Sequence, residues 1–439
     1  MNVYFHTFGC KANQYDTALV VQAFADQGAT VVDDPAAADL AVVNSCTVTH
    51  ESEAKLRRLV RRLGRQGKRL ETVVMGCAAA RDDGAIAALP GVRAVIGGAE
   101  PAAVLRAAGM SGVGGSGFGT RALRPGSRVP SPEPRARSRG LLKIQDGCDE
   151  HCTFCATTIA RGANRSRSIP ELVAEARALA EHHAEIVLTG IHIGTYGRDR
   201  TTDPGRKPGE EPDGPPLGDP RARARGQSSL GQLLEALIAA VPHVRFRLSS
   251  IEATEVDDTI ARLLIDAPRQ LAAHLHAPLQ SGSNRVLKRM GRHWYTAESY
   301  RARLEWLAAQ LPVLGLGADI IAGFPGETDD DHRATAALVE ALPFTYLHVF
   351  PYSERPGAAA ARLGAPVPPR VLHQRARELR DLGEAKARRH HAGRVGRRAD
   401  GVVSGHRAGK VEVLTQDYVS VYLPTHEWNG SARFEVTVR

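Results

Sequence analysis

At 439 residues the chain is longer than one ordinary hydrophobic core supports, so two or three domains are expected. No apolar run approaches the ~18 residues of a membrane span, and Met1–Cys10 lacks the basic-then-apolar pattern of a secretory leader, so a cytoplasmic location with no membrane partner is expected. A net charge of +9 suits a polyanionic partner such as nucleic acid, although a composition rich in Arg and Ala produces the same balance without one.

The first hundred residues read as alternating strands and helices. Val3–Phe8, Leu40–Asn44 and Thr72–Met75 are strand-like, and Gln14–Asp26 and Glu51–Leu63 have helical periodicity. This alternation predicts an open parallel α/β sheet. Cys10, Cys46 and Cys77 each fall just past the carboxyl end of one of these strands, on Gly9-Cys10, Ser45-Cys46 and Gly76-Cys77 turns. Open α/β sheets build their sites on that edge, so three thiols distant in sequence are expected to converge. Three separate buried cysteines are the plainer reading.

Gly109–Gly140 turns to Gly, Ser, Pro and Arg and reads as a linker. A longer βα series follows, with strands at Leu141–Gln145, Glu185–Thr189, Val244–Leu248, His274–Pro278, Gly317–Ala322 and Tyr346–Pro351. Helical patterns separate them at Ile169–Glu181, Leu230–Ala240, Asp257–Asp266, Ala297–Gln310 and Asp329–Ala341. Six such units predict a partial (β/α)6 barrel. Arg198–Ser229 interrupts the series with Pro, Gly and charge and reads as an exposed insertion. Pro369–Arg398 is a basic helical stretch, after which Gly401–Ser404, Lys410–Leu414, Tyr418–Leu423 and Arg433–Val438 suggest a small β-barrel. Such barrels bind looped or single-stranded nucleic acid or simply close a neighbouring domain.

All six cysteines lie within the first 155 residues, a pattern that in a reducing compartment favours metal binding over disulfides. The loop after the first barrel strand is Cys148-Asp149-Glu150-His151-Cys152-Thr153-Phe154-Cys155, a C-x3-C-x2-C spacing. Three thiolates hold three irons of a cubic [4Fe–4S] cluster and leave the fourth open, the signature of radical S-adenosylmethionine (SAM) enzymes. A Cys3His zinc knob using His151 is the alternative.

Over nearly its whole length the chain resembles the methylthiotransferase family of radical-SAM enzymes. TFGCKANQYDT and NSCTVTHESEAKLRR are similar to the branch acting on N6-threonylcarbamoyladenosine (t6A) in tRNA, rather than the isopentenyladenosine or ribosomal-aspartate branches. IQDGCDEHCTFC, RSRS, LTGIHIGTYG, RLSSIE, HLHAPLQSGSNRVLKRMGR, IIAGFPGET and YSERPG carry the resemblance through the barrel. It departs at Ala78-Ala79-Ala80 after the third cysteine, at Ala156-Thr157-Thr158-Ile159 and at Ala358.

The resemblance implies an amino-terminal methylthiotransferase domain (1–108), a linker (109–139), a radical-SAM barrel (140–368, interrupted at 198–229) and a basic helix with a TRAM-like β-barrel (369–439). It implies two [4Fe–4S] clusters, on Cys10/Cys46/Cys77 and Cys148/Cys152/Cys155, with SAM as cosubstrate. By that family's mechanism the second cluster reduces SAM to a radical that activates C2 of the adenine, and the first presents the sulfur. The anticodon stem-loop of tRNA and a flavodoxin or ferredoxin are the implied partners. Gly190, after Thr189, and Ser250, Glu252 and Gln280 lie at strand ends where SAM would bind, or serve the turns there. Arg161, Arg165 and Arg167 are candidates for substrate phosphate or carboxylate, or for a solvated basic face. A non-enzymatic iron–sulfur or zinc RNA-binding protein is the competing class.

Overall fold

The computed structural model describes residues 1–47, 50–65, 70–110, 139–199 and 229–439. The expected linker and insertion fall almost wholly in 111–138 and 200–228, outside the described residues.

The amino-terminal unit is a five-stranded parallel sheet in the order β2-β1-β3-β4-β5. Its strands are β1 (Asn2–Thr7), β2 (Thr30–Val32), β3 (Leu40–Ser45), β4 (Glu71–Gly76) and β5 (Val92–Gly97). Helices α1 (Lys11–Asp26), α2 (His50–Leu63) and α3 (Pro101–Ala107) accompany them. Every residue of β3 is buried, as a central parallel strand covered on both faces requires. One core, around Leu56, Leu63 and Val74, lies on one side, and another, around Val20, Phe24 and Met75, on the other. The periodicity did not announce β2, β5 and α3. The two strands are the sheet's edges, one only three residues long and the other without a fully buried residue, so burial imposes little pattern on them.

The barrel strands are β6 (Gly140–Lys143), β9 (Glu185–Thr189), β10 (Arg245–Leu248), β11 (His274–His276), β12 (Gly315–Ala322) and β13 (Tyr346–Pro351). They form two parallel three-stranded sheets, β10-β9-β6 and β11-β12-β13. Parallel bridges Phe246–Leu271 and Ser250–His276 join the sheets. The result is a six-stranded partial barrel in chain order, as expected. Its helices include α4 (Thr157–Arg161), α5 (Ile169–Ala180), α6 (Leu230–Ala240), α7 (Asp258–Asp266), α8 (Asn284–Arg289), α9 (Ala297–Gln310) and α10 (Asp329–Ala341). Leu and Ile of α5, α6, α7 and α9 pack on the strands in one continuous core. A short antiparallel pair, β7 (Gln145–Asp146) and β8 (Arg165–Ser166), brackets the cysteine loop.

Helix α11 (Pro369–Arg394) crosses β13 closely: a Cβ on Gly383 would lie 3.0 Å from the Leu347 side chain. The helix stops four residues before the expected end, where Gly396 adopts φ +78° and its N–H bonds the Val438 carbonyl. Strands β14 (Arg398–Arg407), β15 (Lys410–Thr415), β16 (Ser420–Pro424) and β17 (Arg433–Thr437) then form a curled antiparallel sheet in the order β16-β15-β14-β17, a half-barrel with a valine-rich core. Tyr418, expected to start the third strand, instead occupies a turn at φ +70°. Its ring stacks on His274 at 4.4 Å and on Tyr346 at 5.3 Å, so the turn is shaped by the barrel beneath it.

That barrel base carries a buried charge cluster. Glu185 accepts from Arg245 Nε at 2.6 Å and from Arg247 Nε at 3.0 Å. The remaining guanidinium donors reach the half-barrel's carbonyls at Asp400, Leu414, Thr415 and Gln416. Buried charges are tolerable only when matched in this way.

Candidate active site at the junction of two domains

Because β1, β3 and β4 are neighbours and parallel, the turns after them meet at one edge. Cys10 stands at the N-cap of α1, and Cys46 and Cys77 follow β3 and β4. Asn13, on the first turn of α1, organises them. Its Nδ2 donates to the carbonyls of Phe8 (2.8 Å) and Ser45 (3.0 Å). Its Oδ1 lies 4.0 Å from Cys10 Sγ and 3.8 Å from Cys77 Sγ. Gly9, at φ +97°, keeps the third thiol clear, since a Cβ there would stand 2.9 Å from Cys46 Sγ.

The second thiol set hangs from an equally constrained turn. Gly147 has φ +73°, and a Cβ on it would lie 1.9 Å from the Ala163 carbonyl oxygen, leaving glycine alone able to start the loop. Cys148 N–H bonds Gly162 O at 3.0 Å, and Thr153 is fixed by Met290 O through its N–H and by Arg289 O through its hydroxyl. Each thiol has a distinct neighbour: His192 Nδ1 at 3.7 Å from Cys148, Arg292 Nη1 at 3.4 Å from Cys152, and Thr157 Oγ1 at 3.0 Å from Cys155. Burial pushes the Cys152 thiol up to about 12, against the pull of Arg292. Burial likewise raises Cys77, opposed by Arg161. Burial opposes a charge on His192, but Glu255 and Cys148 hold its pKa up at about 10.

Arg161, from the helix after the second set, reaches across the domain junction to the first. From α4 its Nη1 donates to Asp146 Oδ1 (2.9 Å), its Nη2 to Asp16 Oδ2 (2.9 Å) and Asn13 Oδ1 (2.5 Å), and its Nε to Cys77 Sγ (3.2 Å). Lys143 Nζ binds the other oxygens of Asp16 (2.6 Å) and Asp146 (2.8 Å) and closes a four-residue ring of ion pairs. Arg167 is also engaged, with Glu175 at 2.7 Å and with Tyr15 OH at 3.1 Å. Arg165 is exposed and bonds the Arg161 and Ala163 carbonyls.

Each set offers three sulfur donors, the ligand type that iron–sulfur clusters take. Zinc bound tetrahedrally at about 2.3 Å draws its thiolates to within about 4 Å of one another. Among the described residues, the triplets of ligand atoms lying within 4.8 Å of one another are His276/Asp319/His348 and His192/Glu252/Glu255, and neither contains a cysteine or His151. Neither thiol set is drawn together as tightly as these groups, and three thiolates in each set match three irons of a cube.

Comparisons with known proteins agree with this chemistry. Residues 2–97 match the uncharacterized protein family UPF0004, and residues 142–339 match the radical SAM superfamily. A threonylcarbamoyladenosine tRNA methylthiotransferase MtaB from Bacillus subtilis is 36% identical over 396 residues, 88% of this chain and 81% of the relative. The Aquifex aeolicus MtaB is 30% identical over 429 residues, 96% of each chain. The Thermotoga maritima MtaB is 34% identical over 365 residues, 82% of this chain and 77% of that one. The chain belongs to the MtaB family of threonylcarbamoyladenosine tRNA methylthiotransferases. Among solved structures, the radical SAM methyltransferase TsrM from Kitasatospora setae superposes with a TM-score of 0.54 at 15% identity, covering 80% of this chain and 76% of TsrM. That likeness concerns the fold alone.

Within this MtaB-family barrel the remaining candidates occupy strand ends. Gly190 packs against Gln145, whose carbonyl and Oε1 would each lie 2.9 Å from an added Cβ. Ser250 Oγ bonds His276 Nδ1 at 2.8 Å. Glu252 is buried, with Arg292 and Trp294 both donating to its carboxylate. Gln280 holds φ +64°, rare for a residue with a side chain, while its N–H bonds the Asp319 carbonyl. Sequence reasoning did not single out Asn13, Asp16, Arg292 or the His276–Asp319–His348 group. All but Asp319 and His348 stand inside the motif strings that carried the resemblance, but only the tertiary contacts distinguish them from their neighbours.

Proposed function

We propose that this protein converts t6A to 2-methylthio-t6A at position 37 of tRNA, beside the anticodon, in the cytoplasm, with an electron supplied by a flavodoxin or ferredoxin. The observation that carries the reading is a three-thiol set on each of two domains, with Arg161, six residues past one set, reaching a thiol of the other. Cys10, Cys46 and Cys77 would hold one [4Fe–4S] cluster, and Cys148, Cys152 and Cys155 the other. When bound, the clusters and SAM supply the electron, the radical and the sulfur that an unreactive adenine C2–H demands.

The protein's own part is placement and charge. Glycines at 9 and 147 keep side chains out of the thiol loops. Arg292, between Cys152 and Glu252, provides a buried cation suited to SAM's carboxylate, and Ser250, Glu252, Gln280 and the Gly190 turn offer polar groups for its amino and ribose ends. Arg161 and Arg167 are held by internal partners, whereas Arg165, exposed with Nη2 3.9 Å from Asp146, is the arginine of the three that faces solvent, where substrate phosphate would lie. Residues 1–108, 140–368 and 369–439 serve as the sulfur-bearing, radical-generating and RNA-engaging parts.

Nucleoside mass spectrometry of tRNA from a deletion strain tests the function: 2-methylthio-t6A is expected to vanish and t6A to accumulate. An unchanged nucleoside profile would refute it. Anaerobic reconstitution is expected to yield a brown protein with about eight irons per chain, whereas a colourless zinc-loaded one would contradict the cluster assignment.

A further inference from the structure

Arg161 lies six residues beyond Cys155, on the short helix that follows the radical-SAM loop, yet its guanidinium ends among side chains of the other domain. Its charge is already matched there: Lys143 and Arg161 face Asp16 and Asp146 in a closed ring of two cations and two anions. Arg165 Nη2 adds a longer contact to Asp146 at 3.9 Å from the exposed side. The Nε–H of Arg161 is left over, and it points at Cys77 Sγ, 3.2 Å away. Cys77 belongs to the thiol set on the far side of the junction. Asn13, whose Oδ1 stands near both Cys10 and Cys77, accepts from the same guanidinium. Only a planar fork with five donors can serve an Asp on each domain, an amide oxygen and a sulfur together; an ammonium cannot.

From this geometry we propose that Arg161 is a positioning residue that couples the two cluster sites, donating its Nε–H to the Cys77 thiolate and fixing the separation between the sulfur-bearing set and the radical-generating loop. The inference rests on the two-cluster reading above. Hydrogen bonds to ligand sulfurs help to set a cluster's reduction potential, and a donor carrying positive charge favours the reduced, more negative state. Removing it lowers the potential of the Cys10/Cys46/Cys77 cluster and leaves the other unchanged.

The test uses the full chain, reconstituted anaerobically and poised at defined potentials for EPR. In Arg161→Gln, and to a lesser degree in Arg161→Lys, one of the two midpoints is expected to move to lower potential while the other stays. The dipolar distance between the reduced clusters should lengthen and broaden in pulsed EPR. The 5′-deoxyadenosine released per methylthiolated nucleoside should rise several-fold. Arg93→Gln, which removes only an exposed pair with Glu71, should move neither midpoint. Unchanged midpoints and an unchanged distance in Arg161→Gln with both clusters loaded would overturn the proposal. If Arg161→Gln fails to load, Arg161→Lys keeps the positive charge but loses the fork that reaches Cys77; a smaller shift in the same direction supports the coupling, and an unmoved midpoint refutes it. A wild-type chain holding a single cluster would instead overturn the functional reading beneath it.

Discussion

At the scale of single residues, Asp146 shows how the junction responds to pH. Burial favours its neutral acid, but Lys143 and Arg161 hold the carboxyl at about 2. In an unfolded chain the group titrates near 3.9. A folded pKa below the unfolded one stabilises above the unfolded value, and that stability is lost as pH falls through the folded one. The ion-pair ring should therefore persist at pH 5 and weaken between about pH 4 and 2, by up to about 3 kcal/mol. Thermal melts across that range check this: Asp146→Asn should be less stable than the parent at pH 5 and converge with it near pH 2. The thiols allow a second residue-scale prediction. Cys152→Ser should halve the iron content, from about eight to about four, and abolish SAM cleavage. Cys77→Ser should lose the same amount of iron yet still cleave SAM without methylthiolating tRNA. Iron assay and 5′-deoxyadenosine release separate the two outcomes.

At the scale of elements, the cysteine loop depends on its entry turn. Gly147 combines φ +73° with a carbonyl oxygen 1.9 Å from where a Cβ would sit, so alanine meets both strain and a backbone clash. The strained backbone alone costs about 1–3 kcal/mol, and the clash must displace Ala163, whose neighbours Gly162 and Asn164 bond Cys148 and Asp149. Gly147→Ala should thus retain a folded barrel by circular dichroism while losing the iron bound by the Cys148 set. Retention of about eight irons in that variant would show that the loop adapts. Gly383 makes a gentler comparison in α11: its missing Cβ accommodates Leu347 at 3.0 Å, and leucine there should lower the melting temperature with iron content unaffected.

At the scale of the molecule, two charged junctions hold three units together. One is the Asp16–Arg161–Asp146–Lys143 ring at the active site. The other is Glu185 with Arg245 and Arg247 under the half-barrel, where all three side chains are essentially inaccessible to water. Removing one partner of a matched buried set leaves an uncompensated charge and costs about 3–5 kcal/mol. Glu185→Ala should lower the melting temperature sharply and expose the half-barrel to proteolysis after α11; a variant as stable as the parent would show that the arginines' carbonyl contacts suffice. If tRNA is the substrate, its affinity should fall steeply with salt, in proportion to the phosphates contacted, and a filter-binding series across salt concentrations measures that slope.

The strands and helices were legible in the sequence because burial imposes periods of two and 3.6 residues, which is why β3, β9 and α6 stand where the pattern placed them. The C-x3-C-x2-C loop was legible for a different reason: its ligands are close in sequence, so spacing alone defines the chemistry. Edge strands such as β2 and β5, half-exposed, carried no such pattern. Convergence of Cys10, Cys46 and Cys77 followed from strand parallelism once the sheet order put β1, β3 and β4 side by side. What only the tertiary structure decided is which polar side chains speak to one another across domains. Arg161 and Arg167 look alike in sequence, two arginines just past a cysteine loop. One reaches a thiol 84 residues away and the other a tyrosine 152 residues away, because both lie at a junction whose partners are set by packing rather than by spacing.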